Sequence, residues 1–516
     1  MHLSDHSLRQ LDEPYLASLG EEALRALSVK LLDDLKEARD RLHQGPENSS
    51  RPPSSRAVWE RAGVVVEPAE AEAEAVEAGS ARAETTAEAV GSSAAPAGAP
   101  TRRKAGKQPG APGVGRTQVL AAHDTLPHYP TTCAGCGQPL ADRTGAVAYT
   151  GFQSVDLHWG DPAQPGLTLW VVDHRYYEVP CACGHRTRAE ADQGMVDPLL
   201  RGVELSEWRL VGPGLATLIV ALTFRFRLSR ARVREFLDQW LGVTLSIGTI
   251  HQTIQEAGAA VAPAEDELVE AVLASALLHA DETPWPEQGQ VLWLWVFTAA
   301  TVTLYYIAGR GKELLDNVLE GFTGWLMSDG WAAYRHLPHR LRCWAHLVRK
   351  ARGLAQSGHR DARAFGHQVL RLLETLMAAV YAAREGPPPV DLPTRHASEL
   401  AELRAACTQR QGSTHDKTHA LAVELLNDWE AIFQVLHHPE LPLTNNAAER
   451  TLRHWVIARQ LSHGTRTDTG SRVFALLASV IDTCRQRGQS PWRYLQTAIA
   501  DRRTGQPLAA LPQQGG

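Results

Sequence analysis

Long apolar runs are missing from this 516-residue sequence. No stretch of about 18 apolar residues occurs, so the sequence predicts no membrane-spanning helix. The first residues lack a basic segment followed by an apolar core, so no secretory signal peptide is predicted either. From both absences we expect a soluble, cytoplasmic protein.

Cysteine is also scarce, with seven residues in the chain. This odd number, without a signal peptide, argues against a secreted disulfide framework. Cys133 and Cys136 form a CxxC knuckle followed by glycine, and Cys181 and Cys183 form a shorter CxC about 45 residues later. Four thiolates on a small β scaffold predict one structural zinc site, in which His185 could replace a sulfur of the second knuckle. The alternative is four free buried cysteines.

A general excess of positive charge is absent, since the formal net charge is -6. This excludes a uniformly basic nucleic-acid coat, so any nucleic-acid binding must use local patches. Residues 67–89 are acidic and residues 101–116 are basic. The basic stretch could follow a DNA backbone, or it could be a solvated linker. Because residues 44–118 contain few large apolar side chains, we expect a disordered linker there.

The length exceeds that of one hydrophobic core and predicts several domains. The predicted divisions are an N-terminal amphipathic helix in 1–43, the linker in 44–118, a zinc-binding β domain in 119–200, a helix-turn-helix region in 201–270, an α/β core in 271–470 with a helical insertion at about 350–440, and a C-terminal helical segment in 471–516. Leucines spaced three and four apart in residues 15–43 predict the first helix. This helix could form a short coiled coil, or it could pack on its own chain.

The helix-turn-helix prediction depends on residues between two amphipathic stretches. Gly242 is placed at the turn and Ser246 at the start of the second helix. Thr249, His251 and Gln252 would then face outward as DNA contacts. Two ordinary packed helices can give the same pattern.

The spacing of apolar residues changes from a helical to a strand-like pattern after residue 274. Three strand-like segments, a helix and a fourth strand follow one another, which predicts an antiparallel meander and a fourth strand parallel to the first. Asp281 would end the first strand and Asp329 would end the fourth, so both carboxylates would emerge at one edge of the sheet. Two such charges repel unless a cation bridges them, and Mg²⁺ prefers oxygen ligands of this kind.

Glu449 is the best third carboxylate, in the first turn of a later helix. Three such acids suit two-metal phosphoryl transfer. The simpler interpretation is that acids often end strands and that Asp-Gly is a common turn.

Other residues near these acids have less specific signals. Glu282 would point to the opposite face of the sheet and be structural. Cys343 and His346 favour packing and phosphate contact over metal binding. Possible phosphate-binding residues, or else parts of solvated helix faces, are Arg349, Lys350, Arg450 and Arg453. Asn445 and Asn446 are candidates to cap the helix that carries Glu449.

Several segments together resemble the insertion-sequence-66 family of transposases. They are "HADETPW", "SDGWAAY", "CWAHLVRKA" and "TNNAAERTLR", with "NSSRPPSS", "GKQPGAPG", "CAGCGQPL" and "SPWRYL" in matching order. The resemblance covers nearly the whole chain apart from the acidic stretch. The CxC knuckle departs from the family pattern and leaves the fourth zinc ligand open between Cys183 and His185.

This resemblance implies a DDE transposase with an RNase H-like catalytic core, whose triad falls on Asp281, Asp329 and Glu449. It implies two Mg²⁺ or Mn²⁺ ions per active site and strand cleavage and transfer on DNA. The partners would be the element's terminal inverted repeats, target DNA, further copies of the chain in a synaptic complex, and small companion proteins of the element. Two alternatives are a DNA-binding regulator that no longer cuts and a stand-alone RNase H-like nuclease.

Overall fold

The computed structural model describes residues 11, 13–42, 118–160, 163, 165–189, 211–386 and 391–514. Apart from Gln118, these residues belong to one compact unit made of 1–55 and 119–516. The predicted linker in 44–118 lies outside the described residues except for Gln118, and so does the basic stretch in 101–116. In the described part of the chain, no helix has the length and apolar character needed to cross a membrane.

The described residues of the N-terminal region form two helices, α1 (Glu13–Ser18) and α2 (Glu21–Leu42). The prediction of one helix over 15–43 is therefore wrong at its start. The backbone turns after α1, and two glutamates in the first turn of α2 favour a new helix start through the helix dipole. The exposed apolar residues of α2 are Leu24, Val29, Leu31, Leu32 and Leu35.

A small sheet carries the cysteine knuckles. Its strands are β1 (Asp124–His128), β2 (Val147–Trp159), β3 (Leu167–Pro180) and β4 (Arg186–Arg188). Strand β3 is central, with β1 parallel to it and both β2 and β4 antiparallel to it. Val155, Leu157 and Val171 from this sheet are buried and join the main hydrophobic core.

Four helices follow, namely α3 (Pro213–Phe224), α4 (Arg230–Leu241), α5 (Ile247–Val261) and α6 (Ala264–Leu273). Gly242 ends α4 in the left-handed conformation, with φ of 64°, which glycine adopts without the steric cost of a side chain. The Ser246 hydroxyl accepts the Thr249 backbone N–H at 2.9 Å and caps α5. The predicted turn and cap are both confirmed.

The second sheet contains β5 (Leu277–Glu287), β6 (Gln290–Thr298), β7 (Thr303–Ala308), β8 (Trp325–Ser328) and β9 (Arg340–Arg342), in the order β7-β6-β5-β8-β9. Helix α7 (Lys312–Val318) lies in the connection from β7 to β8. The meander of β5, β6 and β7 is antiparallel and β8 is parallel to β5, as predicted. Strand β9, parallel to β8, was not predicted because its sequence is Arg-Leu-Arg.

The described residues from Trp344 to His437 form α8 (Trp344–Ala355), α9 (Arg360–Glu385), α10 (Leu392–Arg395), α11 (Ala397–Arg410), α12 (Asp416–Asn427) and α13 (Trp429–His437). They share a hydrophobic cluster of their own, which includes Leu347, Phe365, Leu403 and Leu425. We call α8 to α13 the helical insertion, because it separates the sheet from the helix that carries Glu449.

Helices α14 (Asn446–Ser462), α15 (Asp468–Gln486) and α16 (Pro491–Arg503) are the last helices of the described residues. The Thr303 N–H donates to Thr483 Oγ1 at 3.0 Å, and the Tyr305 N–H donates to Ser479 Oγ at 2.9 Å. Side chains of α15 therefore satisfy the backbone of the edge strand β7 and close an edge at which another strand could pair.

Candidate active site

Two aspartates emerge at the same end of the second sheet. Strand β8 pairs with β5 only from Leu277 to His279, and Asp329 directly follows the last residue of β8. Asp281 lies two residues beyond the last of these pairs. The prediction that Asp281 ends its strand is wrong. Asp281 lies within β5, opposite Val296, because β6 continues to pair with β5 after β8 has ended. The expected approach of the two acids is nevertheless present.

The Asp281 carboxyl group lies in a strongly unfavourable environment for an anion. Burial raises its pKa well above the ordinary value, and the charges of Asp329, Glu282 and Glu449 raise this pKa further. One backbone N–H, that of Glu282, donates to it at 3.0 Å. The strongest charges that act on Asp281 are thus all negative, and a bound cation would relieve this repulsion. Oxygen-only ligands from three carboxylates fit Mg²⁺ or Mn²⁺.

Glu449 lies in the first turn of α14, as predicted. Its Oε1 is 3.4 Å from Arg349 Nη2 and 3.9 Å from His346 Nε2. Among the described residues, Glu449, Cys343 and His346 have possible metal-ligand atoms within 4.8 Å of one another. The two aspartates do not belong to this group. Glu449 is therefore near enough to raise the pKa of Asp281, while its carboxylate faces Arg349.

Asn445 connects α14 to the strand that carries Asp281. Its Oδ1 is 3.0 Å from His279 Nδ1, and its Nδ2 donates to the Ala280 carbonyl at 2.8 Å. Its backbone N–H donates to Cys343 Sγ at 3.2 Å. The prediction that this side chain caps α14 is wrong, since Asn445 holds the N-cap position but its side chain bonds to β5. Sequence reasoning missed this contact, which joins the start of α14 to the strand that carries Asp281.

The other end of α14 is also attached to β5. Arg459 donates to Thr283 Oγ1 at 2.9 Å and to the Pro284 carbonyl. In the loop after α14, Thr465 Oγ1 accepts the Trp285 indole N–H at 3.0 Å. Helix α14 is therefore hydrogen-bonded to β5 on both sides of Asp281.

We expect Asn445→Ala to lower the free energy of unfolding by about 1–3 kcal/mol, because it leaves the buried Ala280 carbonyl without its donor. The measurement is chemical denaturation followed by fluorescence. Asn446→Ala is the matched control, since Asn446 is exposed on the first turn of α14 and its loss should change stability by less than about 0.5 kcal/mol. Equal effects of the two substitutions would contradict the assigned contact.

The four knuckle cysteines meet at one point of the first sheet. The Sγ atoms of Cys133 and Cys183 are 3.7 Å apart, those of Cys136 and Cys181 are 3.7 Å apart, and all four lie within 4.8 Å of one another. A tetrahedral zinc site with Zn–S bonds of about 2.3 Å has sulfur–sulfur edges of about 3.8 Å, so the four sulfurs fit this metal. His185 instead packs against Gly135, where an added Cβ would lie 2.8 Å from the His185 Cβ.

Comparison with known proteins assigns the family. Residues 209–473, just over half of the chain, match the transposase IS66 family. The chain belongs to this family. Of its relatives in Sinorhizobium fredii, the uncharacterized protein y4qI is 25% identical over 301 residues, which cover 52% of this chain and 56% of the relative. The uncharacterized protein y4jO is 26% identical over 226 residues, which cover 40% of this chain and 68% of the relative.

The match to this transposase family includes both aspartates and Glu449, and it also includes Glu282. The Glu282 carboxylate accepts hydrogen bonds from Arg310 at 2.8 Å and from the Tyr334 hydroxyl at 2.9 Å. Arg310 in turn lies over the rings of Trp293 and Trp331, 4.0 and 4.9 Å from their centroids. Unlike Asp281, this buried glutamate has a basic partner, which supports a structural role.

A buried ionic network lies behind the Asp329 loop of this IS66-family chain. Arg342 and Asp428 are fully buried and paired, and Arg340 donates to the same aspartate at 2.9 Å. Arg342 also donates to Glu424 of α12 at 2.5 Å. An added Cβ at Gly330 would lie 2.5 Å from Arg342 Nη2, so only glycine fits there without moving the arginine. The network thus joins the helical insertion to the residue that follows Asp329.

The four predicted phosphate-binding residues fall into two pairs. Arg349 faces Glu449, and Lys350 Nζ donates to Glu424 at 2.6 Å. Arg450 and Arg453 are exposed on α14. The second pair is therefore accessible to solvent, whereas the first is paired with carboxylates of the chain.

The predicted outward face of the helix-turn-helix is partly wrong. Thr249 is buried, and its hydroxyl lies 2.8 Å from Ser246 Oγ. His251 and Gln252 are half-buried. Helix α5 packs against α3, α15 and α16, so the surface that the sequence pattern leaves open is largely covered by the C-terminal helices. The exposed residues of its start are Ser246, Ile247 and Gly248.

Proposed function

We propose that this chain is an active transposase that binds the ends of its insertion sequence and catalyses metal-dependent strand cleavage and strand transfer. The main support is the environment of the Asp281 carboxyl group. Its pKa is raised by burial and by three acidic neighbours within the region that matches the family. An acid cluster of this kind costs stability in the free protein and suggests a cation-dependent function.

Asp281, Asp329 and Glu449 would hold two Mg²⁺ or Mn²⁺ ions, the ions expected for this family. When bound, such ions activate the attacking oxygen and stabilise the leaving oxygen of a phosphodiester. Glu449 must turn from Arg349 toward the aspartates to complete this set, and a DNA phosphate is a suitable new partner for the released guanidinium.

The chemistry proceeds in two displacements. In the first, a water oxygen forms a bond to phosphorus at the element end while the bond from phosphorus to the 3′ oxygen breaks, which leaves a free 3′-hydroxyl. In the second, this 3′ oxygen forms a bond to a target phosphorus and the target strand's own 3′ oxygen leaves. The RNase H-like assignment of the sheet belongs to this proposal and is supported by the order β7-β6-β5-β8-β9.

A structural zinc ion at Cys133, Cys136, Cys181 and Cys183 completes the proposed cofactors. The four sulfurs support this ligand set in preference to one that includes His185. Recognition of the terminal inverted repeats is proposed for the helix-turn-helix through His251 and Gln252, and for the exposed arginines of α14. Small companion proteins of the element remain candidate partners.

We expect Arg453→Ala to weaken binding to DNA of any sequence and to reduce the slope of log affinity against log salt by about 1, because one phosphate contact is lost. The measurement is fluorescence anisotropy of labelled duplex at several salt concentrations. Arg371→Ala, at an exposed arginine of α9 paired with Glu402, is the control and should leave the slope unchanged. An unchanged slope for Arg453→Ala would exclude the proposed contact.

Self-association is proposed because two DNA ends must be joined, and α2 exposes leucines that could pair with a second copy. Leu35 is 67% exposed, so Leu35→Glu should spare the fold but reduce the mass measured by light scattering. Leu126→Glu, at an exposed leucine of β1, is the control. An equal mass for the unaltered chain and Leu35→Glu would exclude self-association through the leucines of α2.

The proposed function is tested with purified protein, Mg²⁺ and labelled DNA that carries the terminal repeats flanking the gene. Nicking at the repeats supports the transposase. Specific binding without cleavage, unchanged by Asp281→Ala, would favour the DNA-binding regulator. Cleavage of branched DNA that lacks the repeats would favour the stand-alone nuclease.

A further inference from the structure

We propose that Asp40, His359 and His415 form a second transition-metal site, which binds Zn²⁺ and attaches α2 to the helical insertion. One ligand atom from each of these side chains lies within 4.8 Å of the other two. No cysteine belongs to the group, so it is chemically distinct from the four-cysteine site. The inference does not depend on transposase activity.

The three residues come from segments that are far apart in the sequence. Asp40 lies in the last turn of α2, His359 directly precedes α9, and His415 directly precedes α12. The two imidazole rings have centroids 4.8 Å apart and an interplanar angle of 54°. All three residues are half-buried, which partly excludes water and still leaves a path for a metal ion.

Hydrogen bonds already orient two of the three ligands. His415 Nδ1 accepts the Thr418 backbone N–H at 3.3 Å and lies 2.9 Å from Thr418 Oγ1, and these two contacts fix the ring. Nε2 is then the metal-binding atom, and it must lose its proton or pass it to Nδ1 when the ion binds. Asp40 accepts the Gly358 N–H at 3.0 Å and the Ser357 hydroxyl. Metal-bound histidines and carboxylates in proteins are commonly fixed by such second contacts.

A simpler explanation is that Asp40 is only an anion at the N-terminus of α9. Such a contact stabilises a helix by about 0.3–1 kcal/mol, and it accounts for the bonds to Ser357 and Gly358. It does not account for the two imidazoles beside the same carboxylate, which would repel each other if both became protonated. The positive ends of α9 and α12 and the Lys417 charge oppose a cation at His415, while the charges of Asp40 and Glu37 favour one there.

The ligand set selects the class of metal. Two imidazole nitrogens favour Zn²⁺ over Mg²⁺ or Ca²⁺, and two histidines with one carboxylate leave a fourth tetrahedral position for water. A metal bound here would fix the end of α2 against α9 and α12. It would thereby set the direction in which the exposed leucines of α2 face.

The test is the zinc content of the full-length protein after zinc saturation and desalting. We expect His359→Ala/His415→Ala to bind one zinc ion per chain fewer than the unaltered protein. His367→Ala is the matched control, because His367 is exposed on the same helix α9, and it should retain the full content. Asp40→Asn should also lose the ion, while its amide oxygen can still accept hydrogen bonds and preserve the local fold.

Hydrogen exchange of α2 gives a second measurement that is independent of the zinc count. Zinc added to the metal-free protein should slow exchange in residues 21–42 at least tenfold in the unaltered chain and in His367→Ala. It should leave exchange unchanged in Asp40→Asn. Equal zinc content and equal protection in the unaltered chain and Asp40→Asn would overturn the proposal and leave Asp40 as a helix-capping anion.

Discussion

Asp281→Asn abolishes strand cleavage and makes the metal-free protein more stable. The loss of rate is expected to be about a thousandfold or more, equivalent to about 4 kcal/mol of activation free energy, because the amide is a poor metal ligand. The gain in stability follows because the amide removes a buried negative charge that Asp329, Glu282 and Glu449 all repel.

The stability change depends on pH in a defined direction. The pKa of Asp281 is raised by burial and then by Asp329, so the folded chain binds this proton more tightly than the unfolded chain does. The metal-free protein therefore loses stability as the pH rises above the unfolded value of about 3.9 and through the raised folded pKa. Asp281→Asn does not lose stability in this way. The metal-free variant should therefore exceed the unaltered protein in stability most strongly above the raised pKa of Asp281.

Thermal unfolding with and without Mg²⁺ measures this effect. Mg²⁺ should raise the midpoint of the unaltered protein and leave that of Asp281→Asn nearly unchanged. Asp316→Asn, at an aspartate of α7 that is 42% exposed, is the control and should alter neither cleavage nor the Mg²⁺ response. A lower midpoint for metal-free Asp281→Asn, or retained cleavage, would contradict the assigned role.

Asp428→Ala lowers the free energy of unfolding by about 3–5 kcal/mol, because it leaves the buried guanidinium groups of Arg340 and Arg342 without their shared carboxylate. The same substitution should reduce strand cleavage, since the Arg342 guanidinium occupies the space where a side chain at Gly330, next to Asp329, would lie. Chemical denaturation of the metal-free protein gives the stability change without a contribution from bound ions.

The control for this substitution is Glu402→Ala. Glu402 pairs with Arg371, but both side chains are substantially exposed, at 40% and 59%. An exposed pair of this kind contributes about 0–1 kcal/mol. If the loss in Asp428→Ala were as small as in Glu402→Ala, the network could not be what holds the helical insertion to β9.

The sequence contains enough information to predict the pairing of β5 to β8 in the second sheet and the approach of its two aspartates, but not strand β9. Alternating apolar residues identify β5 to β8, and the helix between β7 and β8 makes the parallel pairing with β5 the favoured geometry. The cysteine cluster is similarly predictable, since its spacing is itself the signal of a metal site.

The long-range contacts that bring the site residues together cannot be predicted from the local sequence. Asn445 and Ala280 are 165 residues apart, and nothing in the local sequence around either one indicates the other. Arg342 and Asp428 are separated by 86 residues, and the Arg-Leu-Arg sequence of β9 has none of the properties of a buried strand. The Thr249 prediction was also wrong, since this residue is buried, and the packing of α5 against helices from the end of the chain is equally absent from the local sequence.

The most direct test of the account is strand cleavage and joining with the element's own terminal repeats, compared between the unaltered protein and Glu449→Gln. We predict a free 3′ end and a joined product that both require Mg²⁺ in the unaltered protein. Glu449→Gln should bind the repeats and give neither product. Equal cleavage by the two proteins, or specific binding by the unaltered protein without any cleavage in Mg²⁺, would contradict the assignment of Glu449 as the third acid of a working active site.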